Sequence, residues 1–464
     1  MSTTKQIEYT KTSSVPVSAA TCFNWHAAKG AFARLNPPFA PVQILEEPEE
    51  LKAGAEVLIR VPTPLPFFGI KWRLTHPEYV EGEYFRDTQV KGPFKSWEHT
   101  HNFKDLDENT SEMKDVLKFA LPLGILGRIF GAPIVKKQLS ALFNYRHTIL
   151  NLDMETLKDN TEPLHILMSG SSGLIGSALI PYFTTQGHKV TRLLRSEGEK
   201  SEGIEYWDYE NRTTTINSNQ KFDVVIHLGG VNLAGGRWTN KRKNQMLKSR
   251  TDSTSFLSEI ITSLKTAPKV FLCASAVGIY GTTNSEPREE DSAVGDLYSS
   301  MIVDEWEKAS NRVSEAGIRV VNLRFGMVLS PLGGALKKFV FPAKMGAGGK
   351  LGNGKNLISW ISMEDVLGVV THSIRNENVS GPINVVANDM YSNKGLIKTI
   401  CKVLSRPCLF PVPALVLIIM FGKQMAKETI FVSTSVSNKK LIDSGYEFKF
   451  PELEGALRHM LGKV

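Results

Sequence analysis

The feature that most constrains this chain is the run HILMSGSSGLIGSALIPYFTTQGHKV, from His165 to Val190. It opens with a short apolar stretch bounded by small residues, the pattern of a strand buried in a parallel sheet. Gly170, Gly173 and Gly176 follow at three-residue spacing. The first permits a tight turn, the second lets backbone approach a pyrophosphate, and the third lets helix pack closely on strand. The helix is expected to run to Gln186 and stop at Gly187. Pro181 inside it is expected to cost one hydrogen bond. HKVTRLLR then supplies a second strand, and a strand, turn, helix and strand within about 30 residues is the context in which such glycines carry meaning. Glycines in an ordinary strand-to-helix turn are the bland alternative.

The end of the second strand selects the cofactor. Selectivity for NAD calls for an acid there to bind the ribose hydroxyls. Here the strand ends with Arg192 and Arg195, and the first acid is Glu197. A guanidinium matches a 2′-phosphate in charge and in its forked donors, so NADP(H) is expected. The two arginines are three apart and should point to opposite faces of a strand; Arg195, at the tip, is the preferred contact.

Further apolar runs, FDVVIHLGG, KVFLCASAVGIYG, IRVVNLRFGMVLS and GPINVVAN, alternate with helical segments. That order argues for an α/β chain with a doubly wound parallel sheet, its ligand at the carboxyl ends of the strands. Gly229 and Gly230 end one strand, Ser275 another, and Arg324 to Gly326 a third. The expected cofactor set is Gly170, Ser171, Ser172, Gly173, Leu174, Ile175, Gly176, Arg195, Asp208, Leu228, Gly229, Gly230 and Arg324.

SGSSGLIG, DVVIHLGGVNLAGGRWTNKRK, ASAVGIYG, LRFGMVLS and SWISMEDV together resemble the extended short-chain dehydrogenase/reductase superfamily, and within it an atypical epimerase-like branch. RPCLFPVPALVLIIMFG and KKLIDSGYEFKFPELEGAL resemble the small C-terminal domain of that branch. The resemblance runs from about Leu164 to the chain end. It implies a Rossmann-type domain over 164–380 and a small, helical C-terminal domain over 381–464.

The superfamily uses a Tyr-x-x-x-Lys pair on a helix, whose lysine lowers the tyrosine's pKa so that a proton can move with the hydride. The corresponding segment here is GDLYSSMIVDEWE: Tyr298 is present, but Ile302 stands four residues later. The branch typically has phenylalanine where Tyr298 stands. Ser275 falls near the superfamily's catalytic Ser/Thr position, with a one-residue ambiguity against Ala276, and Tyr280 follows in the same loop. Ser275, Tyr280 and Tyr298 are therefore the catalytic candidates, and for Ser275 and Tyr280 packing or turn formation is the competing role.

Residues 1–158 contain no nucleotide motif. AEVLIRVP, IKWRLTHPEYV, EYFRDTQV and WEHTHNFKDL alternate as antiparallel strands do. AATCFNWHAAKGAFARL reads as one or two short helices. In the closing segment, Leu139, Leu142, Phe143, Ile149, Leu150 and Leu157 recur at helical spacing. This order resembles the START-like, polyketide-cyclase-type (SRPBCC) superfamily, an α+β helix-grip fold that encloses an apolar cavity. WHAAKGAFARLNPPFAPV, VKGPFKSWEHTHNF and FNYRH look like the version fused ahead of the epimerase-like proteins, joined here through the polar linker KDNTEP. His26, His99, His101 and His147 lie in these phrases. His99 and His101 share a strand face, and contact with a ligand's polar end together with Arg146, or structural hydrogen bonding, is expected of them. No metal site is expected, because no carboxylate or cysteine at ligand spacing accompanies them.

Composition bounds the rest. The 464 residues, 42% hydrophobic, suffice for two or three cores. Lysine and arginine exceed the acids by 55 − 47 = 8. The densest basic run, RWTNKRKNQMLKSR, carries Arg237, Lys241, Arg242, Lys243, Lys248 and Arg250. It lacks interleaved aromatics, so it reads as a solvated helix face beside an anionic cofactor, and nucleic acid is not an expected partner. Cys22, Cys273, Cys401 and Cys408 form no CxxC pair, which suits a reducing compartment. No signal peptide is evident, and FALPLGILGRIFGAPIV and VPALVLIIMFG are too broken or too short to span a bilayer. A cytoplasmic protein with a small, apolar substrate in its front domain is expected. It reads as an NADP(H)-dependent reductase, dehydrogenase or epimerase. The alternatives are an NADPH-binding sensor without turnover and a hydrophobic-ligand carrier. No residue favours sugar-nucleotide epimerisation.

Overall fold

The computed structural model describes residues 6–63, 69–122, 124–159, 162–195, 201–283 and 286–463. Glu197 and the middle of the linker, Asn160 and Thr161, lie outside them. The chain divides into two compact units: Met1–Pro163 with Pro181–His188 and His459–Val464, and Leu164–Ile180 with Lys189–Arg458.

The front unit is mostly strands. Seven of them, β1 (Ile7–Val15), β2 (Gln43–Glu46), β3 (Glu56–Pro62), β4 (Gly69–Val80), β5 (Tyr84–Lys91), β6 (Ser96–Asp105) and β7 (Ser111–Ala120), form one antiparallel sheet in the order β1-β7-β6-β5-β4-β3-β2. The four strands expected from alternation are β3 to β6; β1, β2 and β7 are additions. Along β7, Met113, Leu117 and Phe119 are buried at alternate positions, as one buried sheet face requires. The helix Ala132–Leu157 brings Ile149, Leu150 and Met154 into one core with Phe23, Trp25, Phe85 and Phe103. A second cluster joins its Leu139 and Phe143 to Leu117 and Phe119. Within this core, Arg34 donates through Nε and Nη2 to both oxygens of Asp153, at 2.9 and 2.8 Å.

The second unit holds β8 (His165–Ser169), β9 (Lys189–Leu194), β10 (Ile204–Asp208), β11 (Thr213–Thr214), β12 (Val224–His227), β13 (Val270–Ala276), β14 (Arg319–Phe325), β15 (Met327–Leu329), β16 (Leu357–Ser362), β17 (Gly381–Val385) and β18 (Met390–Ser392). Eight of these form a sheet ordered β11-β10-β9-β8-β12-β13-β14-β17, parallel except for the β10–β11 hairpin. β8, β12 and β13 read as uninterrupted buried runs because both sheet faces are covered. The order reverses between β8 and β12, so the crevice for a ligand opens at their carboxyl ends. β17, which begins at Gly381, completes this sheet beside β14. β15, β16 and β18 form a separate three-stranded sheet. The helix Leu174–Thr185 continues through Pro181. Among the described residues, no helix is long and apolar enough to cross a membrane.

Candidate functional site: a nucleotide crevice and a buried histidine cluster

The glycine turn follows β8 as its spacing requires. Gly170 has φ +71°, and a Cβ there would lie 2.6 Å from the Leu228 carbonyl carbon. A Cβ on Gly176 would lie 2.4 Å from the Gly170 oxygen. The first glycine thus fits the turn under the neighbouring strand end, and the third lets the helix start against the turn. Gly173 donates its N–H to the Gly170 carbonyl at 3.0 Å, and a Cβ on it would lie 3.2 Å from that same oxygen, so the bare backbone keeps the turn tight where a phosphate group would approach. Arg192 Nε donates to Ser171 Oγ at 3.3 Å, so this guanidinium rests on the turn itself. Arg195 is exposed at the strand tip. The contact with the turn is thus made by Arg192, three residues before the exposed tip.

Two strand ends are pinned beneath the turn. His227, the last residue of β12, has Nδ1 2.5 Å from Ser169 Oγ and Nε2 3.1 Å from Ser253 Oγ. Burial, reinforced by the Arg250 charge, lowers His227 to about 3. An unfolded histidine protonates near 6.5, so the neutral ring contributes stability that is present above that value and is lost as pH falls toward 3. Stability measured by denaturant titration should therefore drop by about 3 kcal/mol between pH 7 and pH 4 from this group. The His227→Gln variant should show a correspondingly shallower slope; an unchanged slope would contradict the assignment.

Several expected site residues have other occupations. Arg324, expected to bind cofactor, is buried and faces Glu307, to which Nε and Nη2 donate at 2.8 Å each. Its Nη1 donates to Tyr280 Oη at 2.7 Å and to the Glu290 carbonyl at 2.8 Å. These donors are engaged inside the fold. Ser275 is also buried and donates to Glu307 Oε1 at 2.5 Å. Tyr280 donates to Asn384 Oδ1 at 2.7 Å, and burial pushes its hydroxyl up to about 12. Strand register explains the assembly: Ser275, Arg324 and Asn384 lie side by side on β13, β14 and β17. Both hydroxyls are thus held in the network around Glu307 and Arg324. Ala276, next to Ser275 in the strand, is the more exposed of the two and carries no hydroxyl. Asp208 caps the turn into β11, accepting from the backbone of Glu210 and Asn211 and from Asn211 Nδ2; it too is used locally.

Tyr298 is half-buried at the start of the helix Tyr298–Lys308. Its helix offers no lysine, and Ile302 is fully buried. A lysine does reach it from the helix Asn240–Ser263: Lys243 Nζ lies 4.9 Å from the ring centroid, and the Trp238 ring stands edge-on at 6.0 Å. Lys243 also donates to Gln424 Oε1 at 3.4 Å. Gln424 binds Glu428, whose other oxygen accepts the Ser299 N–H at 2.8 Å. Burial, then the Glu428 charge, raises Tyr298, so its phenol keeps its proton at neutral pH. The basic run is thus only partly a solvated face. Arg250 is buried and lowered by burial to about 10, and it donates to the Val231 and Met246 carbonyls under the Gly230 turn.

In the front unit, His99 and His101 meet two carboxylates that sequence spacing did not reveal. Asp87 pairs with His99 across β5–β6, and Asp115 pairs with His101 across β6–β7. Asp115 Oδ1 lies 2.8 Å from both His99 Nε2 and His101 Nδ1, and its Oδ2 lies 2.8 Å from His147 Nε2. The His101 contact is close but departs from in-line hydrogen-bond geometry. His147 Nδ1 is 2.7 Å from Ser13 Oγ, while His26 Nδ1 is bound to the Cys22 carbonyl at 2.8 Å. Burial pushes Asp115 up, but the imidazoles of His101, His147 and His99 hold it well below the ordinary range. Burial likewise lowers Arg146, against the pull of Asp115 and Asp87. Aspartates on apolar strand faces, Asp87 in line with Phe85 and Asp115 in line with Met113 and Leu117, were the available signal.

Comparison with known proteins agrees with the crevice. Residues 166–387 match the NAD dependent epimerase/dehydratase family, and residues 412–460 match a domain of unknown function, DUF1731. Epimerase family protein YfhF of Bacillus subtilis is 35% identical over 301 residues, covering 64% of this chain and 98% of that protein. The crystal structure of human epimerase family protein SDR39U1 with NADPH is similar at TM-score 0.60 and 30% identity, over 65% of this chain and all of that one. A structure described as the nucleoside-diphosphate sugar epimerase from Corynebacterium glutamicum is similar across 98% of this chain and 90% of its own, at TM-score 0.77 and 28% identity. The chain belongs to the NAD dependent epimerase/dehydratase family.

Proposed function

We propose that the protein binds NADP(H) in the crevice over β8 and β12 and acts as a reductase, dehydrogenase or epimerase of short-chain type. The observation that carries this reading is the Arg192 guanidinium resting on Ser171 of the glycine turn, where a 2′-phosphate would add its charge. The human relative bound to NADPH supports it. Bound cofactor would supply or accept the hydride. Tyr298 would deliver the proton, since its phenol stays protonated, with Lys243 and Trp238 fixing the ring. The front unit, with its antiparallel sheet and long closing helix, is read as a START-like helix-grip domain that holds an apolar substrate. The protein works, on this reading, in the cytoplasm.

A second reading, cofactor-controlled ligand capture without turnover, is favoured by one observation: Ser275 and Tyr280 are locked in the Glu307–Arg324 network. Following NADPH oxidation across a panel of carbonyl compounds separates the two. Turnover of any one, reduced roughly 10²–10⁴-fold in Tyr298→Phe as for a lost general acid, is the expected result. A panel with no turnover by the wild-type protein would leave the binding role, and turnover unchanged by Tyr298→Phe would remove that residue from the chemistry.

A further inference from the structure

We propose that Asp87, His99 and His101 form a binding site for one divalent transition-metal ion in the front unit, with Asp115 as the group that orients it. One donor atom from each of the three residues lies within 4.8 Å of the others. Asp87 Oδ1 is 3.1 Å from His99 Nδ1 and 3.8 Å from His101 Nε2. Ligands held at about 2.0–2.2 Å from a common ion sit roughly 3–3.5 Å apart, so the observed spacing receives an ion with small side-chain shifts.

The surroundings are those a metal site requires. Metal-binding imidazoles give their second nitrogen to a carboxylate, which fixes tautomer and ring direction. Here Asp115 faces His99 Nε2 and His101 Nδ1 at once, and His147, itself held by Ser13, anchors the other oxygen of Asp115. Asp115 therefore sets the His99 ring by a hydrogen bond and lies against Nδ1 of the His101 ring, with His99 Nδ1 and His101 Nε2 turned toward Asp87. Trp97 Nε1 donates to Asp87 Oδ2 at 3.0 Å, leaving Oδ1 toward the imidazoles. All three ligands stand on adjacent, directly paired strands, a scaffold more exact than a loop. All three are also buried, at 8, 3 and 8% exposure, where charged groups persist only when paired or bound to metal.

The donor set names the ion. Two imidazoles and one carboxylate, with no thiolate, suit zinc, ferrous iron or cobalt, whereas magnesium and calcium take oxygen ligands. Three protein ligands leave coordination positions open, as in catalytic rather than closed structural sites.

The test uses the full chain without an affinity tag, stripped with a chelator and titrated separately with Zn²⁺ and Co²⁺. One equivalent should bind, Co²⁺ should develop visible d–d absorption, and the melting temperature should rise with Zn²⁺. Asp115→Asn should weaken binding about 10- to 100-fold. Asp87→Asn, which preserves shape, and His101→Gln should each abolish stoichiometric binding while circular dichroism stays that of the folded protein. Should either variant fail to fold, histidine NMR of the wild type decides: paramagnetic broadening by Co²⁺ confined to His99, His101 and their neighbours supports the site. No stoichiometric uptake by the wild type, or uptake unaltered in folded Asp87→Asn, overturns it. None of these readouts involves NADPH, so the outcome is independent of the nucleotide reading.

Discussion

Replacing Glu307 with alanine is expected to destabilise the nucleotide-binding unit by about 3–5 kcal/mol, the cost of leaving a buried charge without its partner. Glu307 accepts from Arg324 through two parallel bonds and from Ser275. The side chains of the pair are 13 and 7% exposed, so water cannot take the carboxylate's place. Arg324 would then be a buried cation facing only the Tyr280 hydroxyl and a backbone carbonyl. Substituting both members, as Glu307→Leu with Arg324→Met, should recover much of the loss, since an apolar pair of similar volume often matches a buried ion pair. Chemical denaturation of the two variants checks both statements. A single variant within about 0.5 kcal/mol of wild type, the range of ordinary surface changes, would mean that the network is dispensable.

The second large effect falls on cofactor affinity. Gly176→Ala adds a Cβ 2.4 Å from the Gly170 oxygen and 2.8 Å from the Ser171 Cα. Both are backbone atoms of the turn, so the strain cannot be relieved by a side-chain rotation. Overpacking of this kind costs about 1–3 kcal/mol. Because the displaced atoms are those that would face the pyrophosphate, the same energy should appear as a roughly 10- to 100-fold loss of NADPH affinity. Fluorescence titration with NADPH measures it. Gly187→Ala provides the control: that glycine's Cβ would meet nothing within 4 Å, so its effect belongs to backbone strain at φ +83° and should leave affinity unchanged.

The parts of this molecule that were legible in the sequence are those where local pattern and global fold agree. β8, the glycine turn and β9 could be read because a buried parallel strand is apolar throughout and the turn demands glycine. The strands β3 to β6 followed from alternation. β7 escaped because Ser111 and Asp115 occupy inward positions among Met113, Leu117 and Phe119. β1 carries mostly polar residues between its buried ends, Ile7 and Val15. Both departures have physical origin: β7 places a carboxylate inside the sheet to meet three imidazoles, a partnership that only tertiary structure reveals. Glu307 was hidden similarly. It lies four residues after buried Val303 on an apolar helix face, and its partner Arg324 is on a strand 17 residues away. The catalytic candidates were chosen by motif position, and alternation along β13 then turned Ser275 inward. Arg192 was placed below Arg195 on the argument that strand tips contact ligand, yet the guanidinium is long enough to reach the turn from three residues earlier.

The central claim is that guanidinium at the β9 end selects the phosphorylated cofactor. Isothermal titration of wild-type protein with NADPH and NADH in parallel tests it most directly, with Arg192→Glu and Arg195→Glu as companions. NADPH is predicted to bind at least about tenfold more tightly, a difference of about 1.4 kcal/mol, with Arg192→Glu removing that preference and Arg195→Glu reducing it less. Equal affinity for the two cofactors, or no heat with either, would contradict it.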